Sequence, residues 1–451
     1  MPINVRDDVA DYKKLKALKK KISENLRLKV VLKSVYLCGS KVPKINSVSA
    51  VAVVKNKKQA KFMGVSSCKS PWCCPVCTAR KMAKYAAKIS CALDALKRKG
   101  FKAAMFTFTI PHTADFSCEE STEILYAAWK AFTVHGNKIL KASRNDIFAK
   151  FAESTNHSHR VRVAEYTHGE KGWHPHFHCL FWFPADKFDK VLDWEEKLNQ
   201  RWLELTKRYT IRILARRPEY TKKNSSCVGT SQTNSSVVVD NVPTIQDGFS
   251  KLVTRVEIMY NNLNKGSNGL WISKTKEGSI IEQNSSNYLC GWGGDKEITG
   301  NVTEKATHAG HKTWQQILDA AIAGDEKSWS LFFEYATATR KYRHTRVNFS
   351  VHSGLCQIIA EYQNSEGYKI YLKKKNTEYR QEVGIWKTVC FFNMSQWLCI
   401  CERDLEPEIL RLAMLEDGFG EINKLLERHG LGTAVQNEAQ AAKLEAMLNV
   451  A

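Results

Sequence analysis

The chain lacks an apolar segment long enough to cross a lipid bilayer. A spanning helix needs about 20 predominantly apolar residues, whereas the best candidate, residues 385–400, is interrupted by Lys387, Asn393 and Gln396. The amino-terminal segment is rich in lysine and arginine and has no apolar core of the kind that secretion signals carry. We therefore expect a cytoplasmic protein without a membrane partner.

Further absences narrow the class of protein. The sequence contains no His-Glu-x-x-His motif, which disfavours a zinc peptidase. No internal repeat is visible. At 451 residues the chain is too long for one hydrophobic core, so two or three domains are expected.

Acidic residues are in short supply relative to basic ones. The chain has 46 Asp and Glu against 68 Lys and Arg, which gives a formal net charge of +22. A surplus of this size indicates a polyanionic partner, most often nucleic acid. The alternative is a basic surface that is simply solvated.

The 14 cysteines of this chain indicate thiols and metal sites rather than disulfides, because nothing marks the chain as secreted. Cys68, Cys74 and Cys77 lie close together, and the last two form a Cys-Pro-x-Cys knuckle. A tetrahedral zinc ion needs a fourth ligand. Cys38 is the preferred candidate, Cys73 is its competitor, and a set of buried free thiols is the alternative to zinc. A closed zinc site here would be structural.

The coarse pattern of helices and strands predicts an α+β fold. We predict a basic amino-terminal helix or arm, a loop or insertion over 223–242, and a mostly helical region beyond Gly300. A capping box at Thr313 and Gln316 begins one of the carboxy-terminal helices. The remaining predicted elements are helices at 78–99 and 186–209, a helix carrying Trp329 and Phe332, and strands at 103–110, 160–168, 173–183 and 254–260.

Three histidines at every second position are the most informative feature. His174, His176 and His178 share one face of the strand at 173–183, since side chains alternate along a strand. A hairpin centred between residues 170 and 171 pairs Glu165 with His176, whereas a loop of three or five residues would shift this register. One carboxylate and two imidazoles suit Mg²⁺ or Mn²⁺ acting on phosphate oxygen. His174 lies at the hairpin mouth and is an alternative substrate contact.

These segments occur in the order found in a known family. Residues 106–112 resemble the first motif of the rolling-circle replication initiators of plasmids. Residues 172–178 resemble their second motif, His-hydrophobe-His (HUH), and residues 68–77 are similar to the zinc-binding segment that precedes both. Residues 288–292 resemble the third motif, a helix that bears the nucleophilic tyrosine. The resemblance covers roughly residues 38–355.

The resemblance implies a central antiparallel sheet of HUH-endonuclease type with flanking helices. The zinc-binding segment and basic arm would occupy residues 1–80, the endonuclease domain 81–300 and the helical region 301–451. The catalytic tyrosine would be Tyr288, with Tyr335 and Tyr342 as competitors. Two departures stand out: Gly291 replaces the family's lysine, and Asn284 replaces a glutamate that some relatives use to activate water.

The implied function is initiation of plasmid rolling-circle replication. The tyrosine would attack origin DNA, in single-stranded or cruciform form, and leave a 5′-phosphotyrosine bond while the free 3′-OH primes synthesis. Host helicase and polymerase would be partners. The basic stretches would track phosphates, and the candidate substrate contacts are His174, Arg340, Lys341, Arg343 and Arg346.

Alternatives from the same superfamily are a one-tyrosine transposase and a plasmid-mobilising relaxase. The alternative from another class is a non-catalytic, zinc-stabilised DNA-binding protein. Gly291 and the missing glutamate support this last interpretation, because a decayed active site would have such changes.

Overall fold

The structure is a computed structural model, and it describes most of the chain. The described residues are 8–39, 50–133, 147–157, 159–221, 245–261, 269–275, 278–282, 311–342, 347–349, 354–366, 368–369 and 384–450. The predicted loop at 223–242 lies outside them. No helix among the described residues is both long and apolar enough to cross a membrane.

The elements follow the chain in this order. The helices are α1 Asp8–Ser23, α2 Leu26–Val31, α3 Lys33–Tyr36, α4 Pro75–Arg98, α5 Cys118–Thr133, α6 Ile147–Thr155, α7 Glu195–Leu214, α8 Pro218–Thr221, α9 Ile245–Asn261, α10 Trp314–Ile322, α11 Glu326–Arg340, α12 Leu355–Asn364, α13 Met394–Glu402, α14 Glu406–Ala413, α15 Gly418–Arg428 and α16 Glu438–Val450. The strands are β1 Val51–Lys55, β2 Ala60–Met63, β3 Phe101–Thr109, β4 His159–Gly169, β5 Gly172–Pro184, β6 Leu270–Ile272, β7 Lys312–Thr313, β8 Val347–Phe349 and β9 Lys387–Phe392.

The chain forms two compact units. The central unit comprises Leu96–Asn284 and Val347–Gly354, and the terminal unit comprises Met1–Ala95, Ser285–Arg346 and Leu355–Ala451. The amino-terminal segment and the helical carboxy-terminal region, which the sequence suggests as separate, therefore fall in one unit. The predicted α+β class, with its antiparallel sheet and mostly helical carboxy-terminal region, is confirmed.

The central unit is built on an antiparallel sheet with the strand order β6-β3-β5-β4, and β8 also pairs with β4. β4 and β5 form a hairpin whose two-residue turn places Gly169 opposite Gly172. Gly172 has a φ of 85°, which favours glycine, and a Cβ here would lie 3.1 Å from Ala114 Cα. The turn fixes the register, and Glu165 lies opposite His176 as predicted.

One face of this sheet is covered by helices. Phe108 of β3 packs at 5.1 Å against Trp129 of α5 and at 5.0 Å against Trp202 of α7, between ring centroids. The Trp202 indole N–H also donates a 2.6 Å hydrogen bond to the carbonyl of Thr109. Phe106, Phe108 and Phe177 all point to this face, so the alternate residues of the same strands point to the other one.

The strand predicted at 254–260 is wrong, because these residues belong to α9. The segment is rich in β-branched and aromatic residues, which favours a strand when propensity alone is considered. Its buried positions, however, recur every four residues: Leu252 and Val256 are fully buried, and the Tyr260 hydroxyl lies 3.1 Å from Thr210 Oγ1 of α7. This helical period matches packing against α7.

The terminal unit contains a three-stranded antiparallel sheet with the order β2-β1-β9. Its core joins distant parts of the chain, since Phe62 of β2 packs against Tyr12 of α1 and Trp397 of α13. The predicted capping box at Thr313 is present at the start of α10. The predicted helix carrying Trp329 and Phe332 is α11.

An ion-pair cluster fastens the loop after β3 to the end of α7. Arg217 donates to both carboxylate oxygens of Glu120, at 2.6 and 2.8 Å, and lies 2.9 Å from a carboxylate oxygen of Asp115. Burial would raise the pKa of both carboxyls, but hydrogen bonds from Arg217, and from Arg255 to Asp115, hold both pKa values below their usual range. The cluster therefore stabilises the fold when the carboxylates are charged.

We expect Arg217→Ala to lower the free energy of unfolding by about 1–2 kcal/mol, because it removes the donor to both carboxylate oxygens of the half-buried Glu120 and one of the donors to Asp115. The matched control is Arg216→Ala, since Arg216 is exposed and pairs only with Glu123 among the described residues. Both carboxyl pKa values are lowered on folding, so the contribution is present above about pH 4 and is lost as the pH falls. Urea denaturation at pH 7 and at pH 3 checks this: a difference between variant and wild type that grows at pH 3 would contradict the assignment.

Candidate metal centres

The first candidate centre lies on the face of the central sheet opposite α5 and α7. Glu165 Oε2 lies 3.2 Å from Nε2 of His176 and 3.2 Å from Nε2 of His178. One ligand atom from each of the three residues lies within 4.8 Å of the others, and all three side chains are largely buried. We call these three residues the triad.

The other ring nitrogen of each histidine is held by a neighbouring group. Thr107 Oγ1 lies 3.0 Å from His178 Nδ1, and the carbonyl oxygen of His174 lies 3.2 Å from His176 Nδ1. Such partners orient metal-binding imidazoles and fix which nitrogen faces the ion. The triad therefore directs both Nε2 atoms and a carboxylate oxygen at one point.

The electrostatics of the triad suit a cation. Burial would raise the pKa of Glu165, but hydrogen bonds from His176 and His178 and their charges lower it to about 2. Burial lowers the pKa of His178, against the opposing effect of Glu165. At neutral pH the carboxylate is charged and His178 is neutral, which are the forms that ligate a metal.

The donor set fits a divalent ion such as Mg²⁺ or Mn²⁺. One carboxylate oxygen and two imidazole nitrogens form a hard-to-borderline group of ligands. Three protein ligands leave further coordination positions available for substrate oxygen. The geometry thus agrees with the type of site expected from the spacing of the histidines.

Two residues beside the triad are not predictable from the histidine spacing alone. Thr107 orients His178 from β3, and the ring of His112 lies 4.8 Å from that of His174. His174 itself lies opposite Thr167, outside the triad, with its ring 5.2 Å from that of His176. Both residues belong to the segment 106–112. The resemblance of this segment to the first motif of the rolling-circle initiators was the sequence signal that could have identified them.

The remaining candidate substrate residues are described only in part. Arg340 ends α11 and is exposed, as is Lys341 after it. Tyr288, Arg343 and Arg346 lie outside the described residues, as do Gly291 and Asn284. Of the competing tyrosines, Tyr335 is fully buried and its hydroxyl donates to the carbonyl of Trp72 at 3.2 Å, which makes it a core residue.

The second candidate centre is a cluster of four cysteines in the terminal unit. Cys38, Cys68, Cys74 and Cys77 have sulfur atoms within 4.8 Å of one another. Cys38 Sγ lies 3.5 Å from Cys77 Sγ and 3.8 Å from Cys74 Sγ. Zinc–sulfur bonds of about 2.3 Å in a tetrahedron separate the sulfurs by about 3.8 Å. The cluster could therefore hold zinc.

Backbone groups hold this cluster in place. The Cys68 N–H donates to Cys38 Sγ at 3.4 Å, and the Ser70 N–H donates to Cys68 Sγ at 3.4 Å. Between them Lys69 has a φ of 54°, an uncommon conformation for a residue with a side chain, and it turns the chain around the sulfur. Cys73 lies outside the cluster, with its sulfur 3.7 Å from Ser70 Oγ.

The comparison with protein families agrees with this arrangement. Residues 59–213 match the model of a family described as replication protein. The matched range includes Cys68, Cys74, Cys77 and the whole triad. It confirms the resemblance to a plasmid replication initiator family, and such a family implies DNA binding. No curated protein and no solved structure matches the chain.

Removing one triad ligand should abolish tight Mn²⁺ binding. We expect Glu165→Ala to weaken Mn²⁺ binding by at least about tenfold, as loss of even an indirect partner does at metal sites. Glu170→Ala, in the exposed hairpin turn, is the matched control and should bind as the wild type does. Isothermal titration with Mn²⁺ measures both, and equal affinities of the two variants would contradict the site.

Removing one cysteine of the cluster should release zinc. We expect one equivalent of zinc in the wild type by mass spectrometry of the metal content. Cys38→Ser should lose most of it because a closed four-sulfur site cannot substitute the missing ligand. Cys73→Ser should retain it. The opposite pattern, with zinc kept in the first variant and lost in the second, would make Cys73 the ligand.

Proposed function

We propose that the protein nicks and rejoins plasmid origin DNA to initiate rolling-circle replication. The observation that carries this proposal is the buried triad on one sheet face, inside a segment that matches a replication protein family. The nucleophile would be Tyr288, and the intermediate a covalent 5′-phosphotyrosine. The protein would then be a metal-dependent endonuclease and strand transferase.

The triad residues would set up the scissile phosphate. A divalent ion bound there would polarise the non-bridging oxygens of the phosphodiester. Glu165 would supply the negative charge that retains the ion, and the two histidines would supply nitrogen donors. Thr107 keeps His178 in the required orientation, so the site is organised before DNA arrives.

The chain has enough length to bring Tyr288 to this site. The preceding described stretch ends at Glu282, whose backbone pairs with Ala104 of β3. Ala104 lies three residues before Thr107, which is opposite His178. Three strand residues cover about 10 Å along β3, and two strand spacings cover about 10 Å across the sheet, so the direct separation is roughly 14 Å. The six residues from Glu282 to Tyr288 can extend over about 20 Å.

In the chemical step, the Tyr288 oxygen would form a bond to phosphorus as the bond between phosphorus and the 3′-oxygen breaks. The phenolic proton is released, and the leaving oxygen becomes a 3′-OH that host polymerase can extend. The phosphotyrosine bond retains the energy of the broken phosphodiester, so attack by a 3′-OH can rejoin the strand without ATP. A host helicase would open the duplex ahead.

Positive charge would hold the DNA. Arg340, Lys341, Arg343 and Arg346 are proposed phosphate contacts, and His174 is proposed to contact substrate beside the triad. Binding through such residues weakens steeply as salt concentration rises.

A non-catalytic, zinc-stabilised DNA-binding protein is the second candidate, favoured by Gly291 in place of lysine and by the absence of a glutamate at position 284. A transposase or relaxase of the same superfamily would use the same triad. Only the catalytic candidates require a covalent adduct.

The test of this proposal is Tyr288→Phe, which removes only the attacking oxygen. We expect DNA binding to persist while nicking and the covalent adduct disappear in the presence of Mn²⁺. Oligonucleotides that tile a plasmid encoding this chain serve as substrates. Tyr342→Phe is the matched control and should nick as the wild type does.

Two results would contradict the assignment. Full nicking by the Tyr288→Phe variant, or an adduct mapped by mass spectrometry to another tyrosine, would exclude Tyr288 as the nucleophile. Binding without any nicking by the wild type would favour the non-catalytic candidate.

A further inference from the structure

An indole that is only half-buried lies on the triad's face of the sheet, one strand beyond β3. In β6 the side chains of Leu270 and Ile272 are buried, whereas Trp271 between them is half-buried. Trp271 lies opposite Thr107, which in turn lies opposite His178. Partners across antiparallel strands share a face, so the indole and the triad lie on the same one.

The backbone around Trp271 is held by several hydrogen bonds. The N–H of Leu270 donates to Asn199 Oδ1 at 2.9 Å, and the N–H of Ile272 donates to Glu195 Oε1 at 2.8 Å, both acceptors on α7. Thr109 Oγ1 accepts from the N–H of Gly269 at 2.9 Å. A short strand with so many anchors positions its outward side chain with little conformational freedom.

Nothing in the described part of the chain covers the indole with a ring or a cation. Three other tryptophans of the central unit have such contacts: Trp129 and Trp202 lie against Phe108, and Trp194 lies under Lys197. Trp182 shares the triad's face but is fully buried, so it presents no face to a ligand. A rigid, half-buried aromatic face beside a phosphate-binding centre has the properties of a stacking platform for an unpaired base.

We propose that Trp271 stacks on an unpaired DNA base close to the scissile phosphate. Two strand spacings, about 10 Å, separate Trp271 from His178 along the sheet, so the stacked base would lie near the nucleotide whose phosphate the triad binds. The inference rests on the proposed function and adds to it one residue that contacts a base. Bases within a duplex have both faces stacked on neighbours, so this contact requires an unpaired base.

A thermodynamic cycle isolates the stacking contact. Affinity is measured by fluorescence anisotropy, without added divalent metal, for a thymidine 20-mer and for a 20-mer in which abasic spacers replace the central nucleotides. The two strands carry the same phosphates, so the difference in affinity reports on bases. The variants are Trp271→Ala, Trp271→Phe and Trp194→Ala. Trp194 is a half-buried tryptophan immediately before α7, on the helical side of the sheet.

We expect Trp271→Ala to bind the thymidine strand roughly 5- to 150-fold more weakly than the wild type does. The variant should also lose most of the wild type's preference for the thymidine strand over the abasic strand. Trp271→Phe should keep part of that preference, and Trp194→Ala all of it. Unchanged Mn²⁺ binding by Trp271→Ala shows that the sheet is intact.

The outcomes separate the two proposals. In one outcome, the wild type prefers the thymidine strand to the abasic strand, and both Trp271 variants keep this preference in full. That result would overturn the role of Trp271 and leave the nicking proposal standing. A wild type that nicks no DNA would instead overturn the proposed function, whatever the cycle gives.

Discussion

The register of the β4–β5 hairpin is the constraint on which the candidate active site depends. Its two-residue turn at Glu170 and Lys171 pairs Glu165 with His176. A shift of one residue would move either the carboxylate or both imidazoles to the opposite face, since strand side chains alternate. Gly172 protects this register because its backbone conformation and its approach to Ala114 both disfavour a side chain.

The opposite face of the same strands reinforces this arrangement. Arg162 on β4 is 4% exposed and lies 4.3 Å from the ring centre of Phe177, with Tyr126 and Trp129 nearby. Burial lowers the pKa of Arg162, and the surrounding aromatic faces offset part of the cost of burying its charge. A shift in the register of the hairpin would remove Arg162 from these aromatic rings, and it would also separate the residues of the triad. Both faces thus favour one register.

The sequence was sufficient where the physical signal is local. The alternation of His174, His176 and His178 and the short turn determine the triad without knowledge of other strands. Thr107 and Trp271 could not be predicted in this way, because their positions depend on β3 lying between β5 and β6, a non-local pairing. The error at 254–260 has the same origin: propensity favours a strand, but packing of α9 on α7 decides. Cys38 was predictable only in part. The knuckle shows that a fourth zinc ligand is needed, but it does not show which distant residue the fold brings next to it.

The two candidate centres differ in their donor atoms. This difference determines which metal each centre favours and whether the metal could contact a substrate. Four sulfurs in the terminal unit favour zinc and fill a tetrahedron, so such a site has no position for substrate and can only stabilise the fold. The triad offers one oxygen and two nitrogens, which favour harder ions and leave coordination positions for phosphate oxygen. Zinc at the cysteine cluster would therefore contribute to the stability of the fold, whereas an ion at the triad could also contact a substrate. The proposed nicking activity would therefore depend on the divalent ion at the triad.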